Sequence, residues 1–298
     1  MTEQEILKKW NNRLTYVIFR FFIFCFWLMP FWMLYLFSDF LYYWFYYITG
    51  YRKKIVFENL RNSFPSKQET EIRKIAKGFY HHLVDIVLEG MKAFTIKEKD
   101  ILGRYHLLHM EFLDELYRKN QSVICVAGHY NNWEWGGVVS GILVSHRPIG
   151  FYKPLSNPYI DRYTIRSRAK GRAVLASILH TAETFRKRWG GPCVFYMVAD
   201  QSPSSPRFAQ WVTFLNQKTA TLHGPEKYAR LHNLPVYFSK VRKIKRGHYE
   251  LEFVLLSDTP GMTEPGEITE RFMNELEKLI MEAPQYYLWS HRRWKIKP

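Results

Sequence analysis

His129 and Glu134, in the run GHYNNWEW, are the two residues of this 298-residue chain whose types and spacing best suit acid–base chemistry. A neutral imidazole, with an ordinary pKa of about 6.5, can take a proton from a hydroxyl near neutral pH. An ionised glutamate can hold the imidazole tautomer and stabilise the imidazolium as it forms, which is the part a carboxylate plays in a His–acid pair. Such a pair needs no side-chain nucleophile, because the attacking hydroxyl belongs to the acceptor. Spacing alone leaves a second reading open, in which the His bonds a loop carbonyl and the Glu faces solvent.

The elements around the pair must position it. SVICVA (Ser122–Ala127) is a short apolar run that reads as a buried strand. Gly128 permits a sharp turn, and His129 then stands at the strand's exit. Asn131 or Asn132 can cap a following helix that runs through Trp133 and Gly137. Open α/β sheets bind ligands just outside the carboxyl ends of their strands, where His129 is expected. Glu134 falls in the first helical turn, where the helix dipole favours an ionised carboxylate by about 0.3–1 kcal/mol.

Downstream, strand and helix signals alternate. Arg147–Tyr152, Pro192–Ala199, Leu234–Arg242 and His248–Leu256 read as strands, the last two as a hairpin across KIKRG. Helices are expected at about Asn157–Lys170, Leu175–Arg188, Leu222–Leu231 and Glu267–Met281. Upstream, Tyr51–Phe94 reads as helical, with a basic amphipathic segment followed by a Ser66–Glu69 capping box. The pattern implies an α/β fold, a mixed sheet flanked by helices. Residues 51–298 are expected to form that domain, with a helical N-terminal part over 51–100.

Residues 1–50 differ. Leu14–Phe37 carries one charge, Arg20, and is apolar around its circumference; aromatics continue through Phe40–Ile48. The stretch is long enough for a bilayer core and too bulky for a cleaved signal. Basic residues on both flanks (Lys8, Lys9, Arg13; Arg52, Lys53, Lys54) draw both ends to one side. A membrane anchor is therefore expected, either a single span or a kinked, partly inserted helix pair broken near Pro30. The net charge of +16 suits anionic partners such as acidic lipid headgroups or an acidic carrier protein. Cys25, Cys125 and Cys193 show neither CxxC spacing nor an even count, which disfavours a disulfide framework or zinc site; Cys125 and Cys193 read as core residues. The aromatic–basic C-terminal cluster (Trp289, His291, Arg292, Arg293, Trp294, Lys295) suits a membrane surface or an acidic substrate. Nucleic acid binding would leave the apolar N-terminus without a purpose.

Five segments, in order, are similar to one family. GHYNNWEW resembles the H-x4-D/E motif of the glycerolipid and lysophospholipid acyltransferases. With GYRKKIVFENLRNSFP (Gly50–Pro65), FYKPLSNPYID (Phe151–Asp161), ADQSP (Ala199–Pro203) and APQYYLWSHRRWKIKP (Ala283–Pro298), the chain resembles the late acyltransferases of lipid A synthesis, the lauroyl and myristoyl type. The resemblance implies His129 as base and Glu134 as its partner. Arg168 would steady an oxyanion, and Lys153, where the family has Arg, would contact an acidic headgroup or carrier. Asp200 and Asn132 are further candidates for substrate binding. Ser202 stands where the family has a second acid. The implied donor is an acyl thioester on acyl carrier protein, and the implied acceptor is a hydroxyacyl chain of an anionic lipid A precursor. No metal or bound cofactor is implied. The implied location is the inner membrane of a Gram-negative bacterium, with the catalytic domain facing the cytoplasm. The departures at Lys153 and Ser202 leave room for another acceptor: a lysophospholipid, an aminolipid or a secondary-metabolite hydroxyl. A non-catalytic membrane adaptor is the remaining alternative.

Overall fold

The computed structural model describes residues 3–169, 172–203, 206 and 209–297. Its centre is a seven-stranded mixed sheet: β1 (Tyr105–Leu107), β9 (His248–Ser257), β8 (Val236–Lys245), β2 (Val123–Ala127), β5 (Cys193–Val198), β3 (Arg147–Tyr152) and β4 (Val174–Ser177), in that spatial order. All neighbours are parallel except β8 and β9, which form the expected hairpin. β8 continues through Lys245, so the turn is only Arg246-Gly247, with Gly247 at φ +71. β2 is buried along its length, which is why it reads as a continuous apolar run rather than an alternation.

Helices cover both faces. Those that reach the site are α4 (Glu69–Ala93), α7 (Trp133–Leu143), α8 (Pro158–Arg168) and α11 (Glu267–Glu282). Ile72, Ala76, Phe79, Tyr80, Val84 and Leu88 recur along α4 at three- and four-residue spacing and are buried. α4 starts two residues later than the expected Ser66 box would place it: Gln68 is the cap and its N–H donates to Glu71 Oε2 at 3.0 Å. Asn157 caps α8 by accepting from Tyr159 N (3.0 Å) and Ile160 N (3.4 Å), with Pro158 at the first helical position. The expected end of that helix, Lys170, lies outside the described residues.

Two expected helices are corrected. The stretch expected as helix from Leu175 opens as edge strand β4, passes through a 3-10 turn at Ile178–His180, and is α-helical only at Thr181–Arg186. Pairing with β3 satisfies backbone groups that a helix would otherwise use. Likewise Leu222 ends strand β7 (Gln217–Leu222), which pairs with β6 (Ala209–Phe214) in a separate hairpin, and the helix begins at Gly224.

The N-terminus is two helices. α1 (Glu3–Leu28) stops at Met29-Pro30 and α2 (Phe31–Tyr43) begins there, followed by a π-helical turn at Trp44–Ile48. The break near Pro30 is thus present, since proline lacks the N–H that would continue α1. Among the described residues no helix is long and apolar enough to cross a membrane. α1 and α2 nevertheless expose Trp10, Phe21, Trp27, Trp32 and Phe40, and the π-helical turn exposes Trp44. Their other faces are fastened to α4 by charge. Lys92 Nζ donates to the end carbonyls of α1 at Phe26 (2.7 Å), Trp27 (3.1 Å) and Met29 (2.7 Å). These are the orphan acceptors that every helix end leaves. Arg246, at the tip of the β8–β9 hairpin, bridges Asp39 (2.6 Å) of α2 and Asp85 (2.7 Å) of α4. Ser38 Oγ donates to the same Asp85 at 2.7 Å.

Candidate active site

β2 and β5 are adjacent and parallel, with Ala127 opposite Val198. The residues two past each, His129 and Asp200, therefore leave the sheet side by side. His129 Nδ1 lies 2.6 Å from Asp200 Oδ1. An ionised carboxylate only accepts, so Nδ1 carries the hydrogen and Nε2 presents its lone pair. Gln201 Nε2, 3.1 Å away, donates to that lone pair. This is the tautomer a general base needs, held by the residue next to the one that fixes it.

Asp200 is buried together with Tyr287 and Arg293. Burial pushes its carboxyl up, but the His129 ring, the His129 backbone N–H and the Arg293 guanidinium outweigh this and hold it below the ordinary range. For His129 burial disfavours the imidazolium, but the Asp200 charge and hydrogen bond, helped by the Glu134 charge, outweigh it and raise the pKa above its ordinary value. Arg293 comes from the last segment of the chain, which is pinned beneath the site. Leu288 N donates to His129 O at 3.2 Å, Tyr130 bridges to Tyr287, and Arg293 Nη1 donates to Ala220 O at 2.6 Å and Ser202 Oγ at 3.3 Å. Ser202 Oγ donates in turn to the Arg293 carbonyl. Trp289 and Arg293 are thus internal rather than surface groups, which corrects the surface reading of that cluster; Arg292 and Lys295 remain exposed.

Glu134 is not the group that touches His129. It stands in the first turn of α7, as expected, but pairs with Arg168 at the end of α8, Oε2 to Nη2 2.6 Å. The register of β2 and β5 delivers Asp200 to Nδ1, while Glu134, on the first turn of α7, bonds Arg168 and acts on His129 through its charge; Trp133 packs edge-on against the imidazole, ring centroids 4.9 Å apart. Gly128 is not in the left-handed region; Asn131 is, at φ 52. At Gly128 a Cβ would sit 2.8 Å from two methyls of Leu276, so glycine serves close approach there. Asn132 caps α7 by accepting from Trp135 N at 3.0 Å. Its amide donates to Glu89 Oε2 at 2.6 Å, so this buried side chain, expected to bind substrate, is committed within the protein. Lys153 lies just past β3 on the same carboxyl edge, exposed.

A pocket of about 310 Å³ opens beside the pair. Leu83, Ile86, Val87, Gly90 and Met91 of α4, with Phe94 just past its end, form one wall, Trp133 and Leu288 link it to His129, and Glu134 and Arg168 are polar lining groups. A second groove, about 740 Å³, is lined by Lys54, Lys218, Arg292, Lys295 and Lys297 with Glu58 as its one acid. Among the described residues no group of three or more His, Cys, Asp or Glu side chains is placed to hold a metal ion.

The arrangement is a histidine on a buried acid at the carboxyl edge of a mixed sheet, beside an apolar pocket with an ion pair. Residues 3–296 match the model of the family described as bacterial lipid A biosynthesis acyltransferase. The chain belongs to that family. It is accordingly an O-acyltransferase of the lipid A biosynthesis type. It is 28% identical over 251 residues to the lipid A biosynthesis lauroyltransferase of Escherichia coli (strain K12), covering 83% of this chain and 80% of that one. It is 25% identical over 255 residues to the lipid A biosynthesis palmitoleoyltransferase of the same strain, with the same coverage. It is 21% identical over 253 residues to a lipid A biosynthesis acyltransferase of Haemophilus influenzae, covering 83% and 78%. The adaptor alternative is thereby set aside. Four groups near the pair were not singled out as site candidates by sequence reasoning: Gln201, Tyr287, Arg293 and Glu89. Gln201 follows Asp200 directly and Arg293 sits in a quoted motif, but nothing in the sequence places Glu89 beside Asn132.

Proposed function

We propose that His129 is the general base that moves a fatty acyl group from an acyl carrier protein thioester to a hydroxyl of a lipid A precursor. The observation that carries this is the His129–Asp200 bond, which leaves Nε2 as an acceptor at the strand exit next to the apolar pocket. The acceptor O–H donates to Nε2, in the position that Gln201 takes in the free protein, and its oxygen attacks the thioester carbonyl. The imidazolium that forms is stabilised by Asp200 directly and by Glu134 at longer range. Arg168, held by Glu134, steadies the oxyanion of the tetrahedral intermediate. Collapse breaks the C–S bond, and the departing sulfur takes the proton from His129. The acyl chain lies in the pocket walled by α4. No bound cofactor takes part; the acyl thioester is a co-substrate.

The groove of five cations fits an acidic carrier. Lys153, exposed on the same edge as His129, is suited to a phosphorylated headgroup as a point charge. The aromatic faces of α1 and α2, with their exposed Trp and Phe side chains, lie in the lipid surface on the cytoplasmic side of the inner membrane. The test compares wild type with His129→Ala, given labelled acyl carrier thioester and lipid acceptor. Loss of the base lowers transfer by about 10²–10⁴-fold. Equal transfer by the two proteins would remove His129 from the chemistry.

A further inference from the structure

Glu89 lies under the catalytic turn and takes no part in the proposed reaction. It is fully buried on α4. Its Oε2 accepts from the amide of Asn132 (2.6 Å) and from the hydroxyl of Tyr249 on β9 (2.7 Å). Its Oε1 accepts from the hydroxyl of Tyr35 on α2 (2.8 Å), and its backbone carbonyl accepts from Trp135 Nε1 (3.0 Å). Asn132 in turn accepts from Trp135 N and so fixes where α7 begins. One carboxylate therefore holds a residue of the N-terminal helix pair, a strand of the sheet, and the cap of the helix whose first turn carries Trp133 and Glu134.

We infer that Glu89 is a positioning residue that sets the first turn of α7, and with it Glu134 and the wall against His129, and that it ties this turn to the seating of α2 through Tyr35. Buried polar groups are held in one geometry only when each finds its partner. Asn132 has two jobs, accepting from Trp135 N and donating to Glu89. Rotation of its amide would leave Glu89 facing an oxygen and the Trp135 N–H facing a nitrogen. Glu89 thus selects the orientation in which the cap works. Burial pushes the Glu89 carboxyl up to about 7, against the pull of Tyr249, Tyr35 and Lys243, while neighbouring Asp85 adds to the rise. The three donors offset part of that burial cost and so favour the acceptor-only carboxylate.

The test is a swap of donor and acceptor. Asn132→Asp keeps a capping oxygen but sets two acids against each other. Adding Glu89→Gln supplies from α4 the donor that position 132 has then lost. Asn132→Asp alone lowers kcat by about 10- to 100-fold, the size expected for losing a hydrogen bond to a charged group. KM stays within about twofold, and amide exchange in the first turn of α7 speeds up by a similar factor to the loss in kcat. In the double variant both kcat and exchange return to within about fivefold of wild type. Tyr35→Phe, which removes only the contact from α2, raises exchange in the same turn and lowers kcat about three- to tenfold with KM unchanged. A double variant no better than Asn132→Asp in either readout overturns the positioning role. Unchanged exchange in Tyr35→Phe overturns the link to α2. The kinetic readout rests on the acyl-transfer reading, but the exchange readout does not. A fully active His129→Ala would therefore sink that reading and leave this one standing on exchange.

Discussion

Asp200→Asn is the sharpest test of which acid serves His129. The carboxylate is buried and bonded to Nδ1 at 2.6 Å, so both its charge and its acceptor oxygen act at full strength. A hydrogen bond to a charged group is worth about 1.5–3 kcal/mol. At about 1.4 kcal/mol per decade this is a loss of roughly 10- to 100-fold in kcat/KM. If the new amide turns its NH2 toward the ring, Nδ1 becomes the acceptor and Nε2 carries the hydrogen, and the loss approaches the ~10⁴-fold known for the same change in a serine protease triad. Arg293 adds a second effect, because its Nε and Nη2 have no hydrogen-bond partner among the described residues and Asp200 is the acid beside it. Removing the acid takes a counter-charge from a buried cation and so also lowers folding stability. The assay is single-turnover acyl transfer, with thermal unfolding on the same sample to separate the two effects. The decisive comparison is with Glu134→Gln. If Asp200→Asn stays within twofold of wild type while Glu134→Gln is inactive, the orienting acid is Glu134 and the role given to Asp200 is wrong.

Other outcomes follow from the same geometry. Because the His129 pKa is raised and the base must be neutral, wild-type kcat/KM falls as pH drops through a value above 6.5. In Asp200→Asn that acid limb moves to lower pH, which a pH–rate profile reads directly. At Gly90 an added Cβ meets nothing within 4 Å, so Gly90→Leu fills the pocket and stabilises α4 by up to about 1 kcal/mol. Each methylene of the donor denied burial costs about 0.8 kcal/mol, so kcat/KM for long acyl chains falls about fourfold per methylene, and shorter donors are preferred in competition assays. Lys218→Glu with Arg292→Glu raises KM for the carrier-bound donor, an effect that shrinks with added salt; a salt-independent KM would place the carrier elsewhere. Lys92→Met frees the carbonyls at the end of α1, and hydrogen exchange of Cys25–Met29 rises at least tenfold if the ammonium is their main partner.

Much of the site was readable because it is local. A short apolar run followed by Gly128 and His129 marks a strand exit, and Asn157-Pro158 marks a helix start, without knowledge of any distant residue. Asp200 was legible as the end of another buried strand. What could not be read was that β5 lies beside β2 with Ala127 opposite Val198, and only that register tells Asp200 from Glu134 as the partner of His129. The β6–β7 hairpin leaves no turn signal in the sequence because its turn is Leu215-Asn216, both at positive φ, with no glycine. Its Leu215 N–H is held by Glu277 of α11 at 2.8 Å, a tertiary contact standing in for turn chemistry. The β4 edge strand reads as helix because its polar spacing is helical and only pairing with β3 overrides it.

The charge pairs that seat the N-terminal helices have a consequence for how the protein is made. Arg246 and Asp39 are 207 residues apart, and Asn59 bonds the carbonyl of Trp289 across 230. A ribosome delivers the aromatic helices and α4 long before Arg246. For most of synthesis Trp10, Phe21, Trp32 and Phe40 lack Arg246 to lock their helices down, and contacts that close such long loops form late. A nascent chain with that surface exposed is prone to aggregate unless something apolar covers it. A lipid surface met early would cover those side chains before the remainder of the fold exists. Attachment would then precede folding, and the catalytic turn would be assembled on a chain already in place.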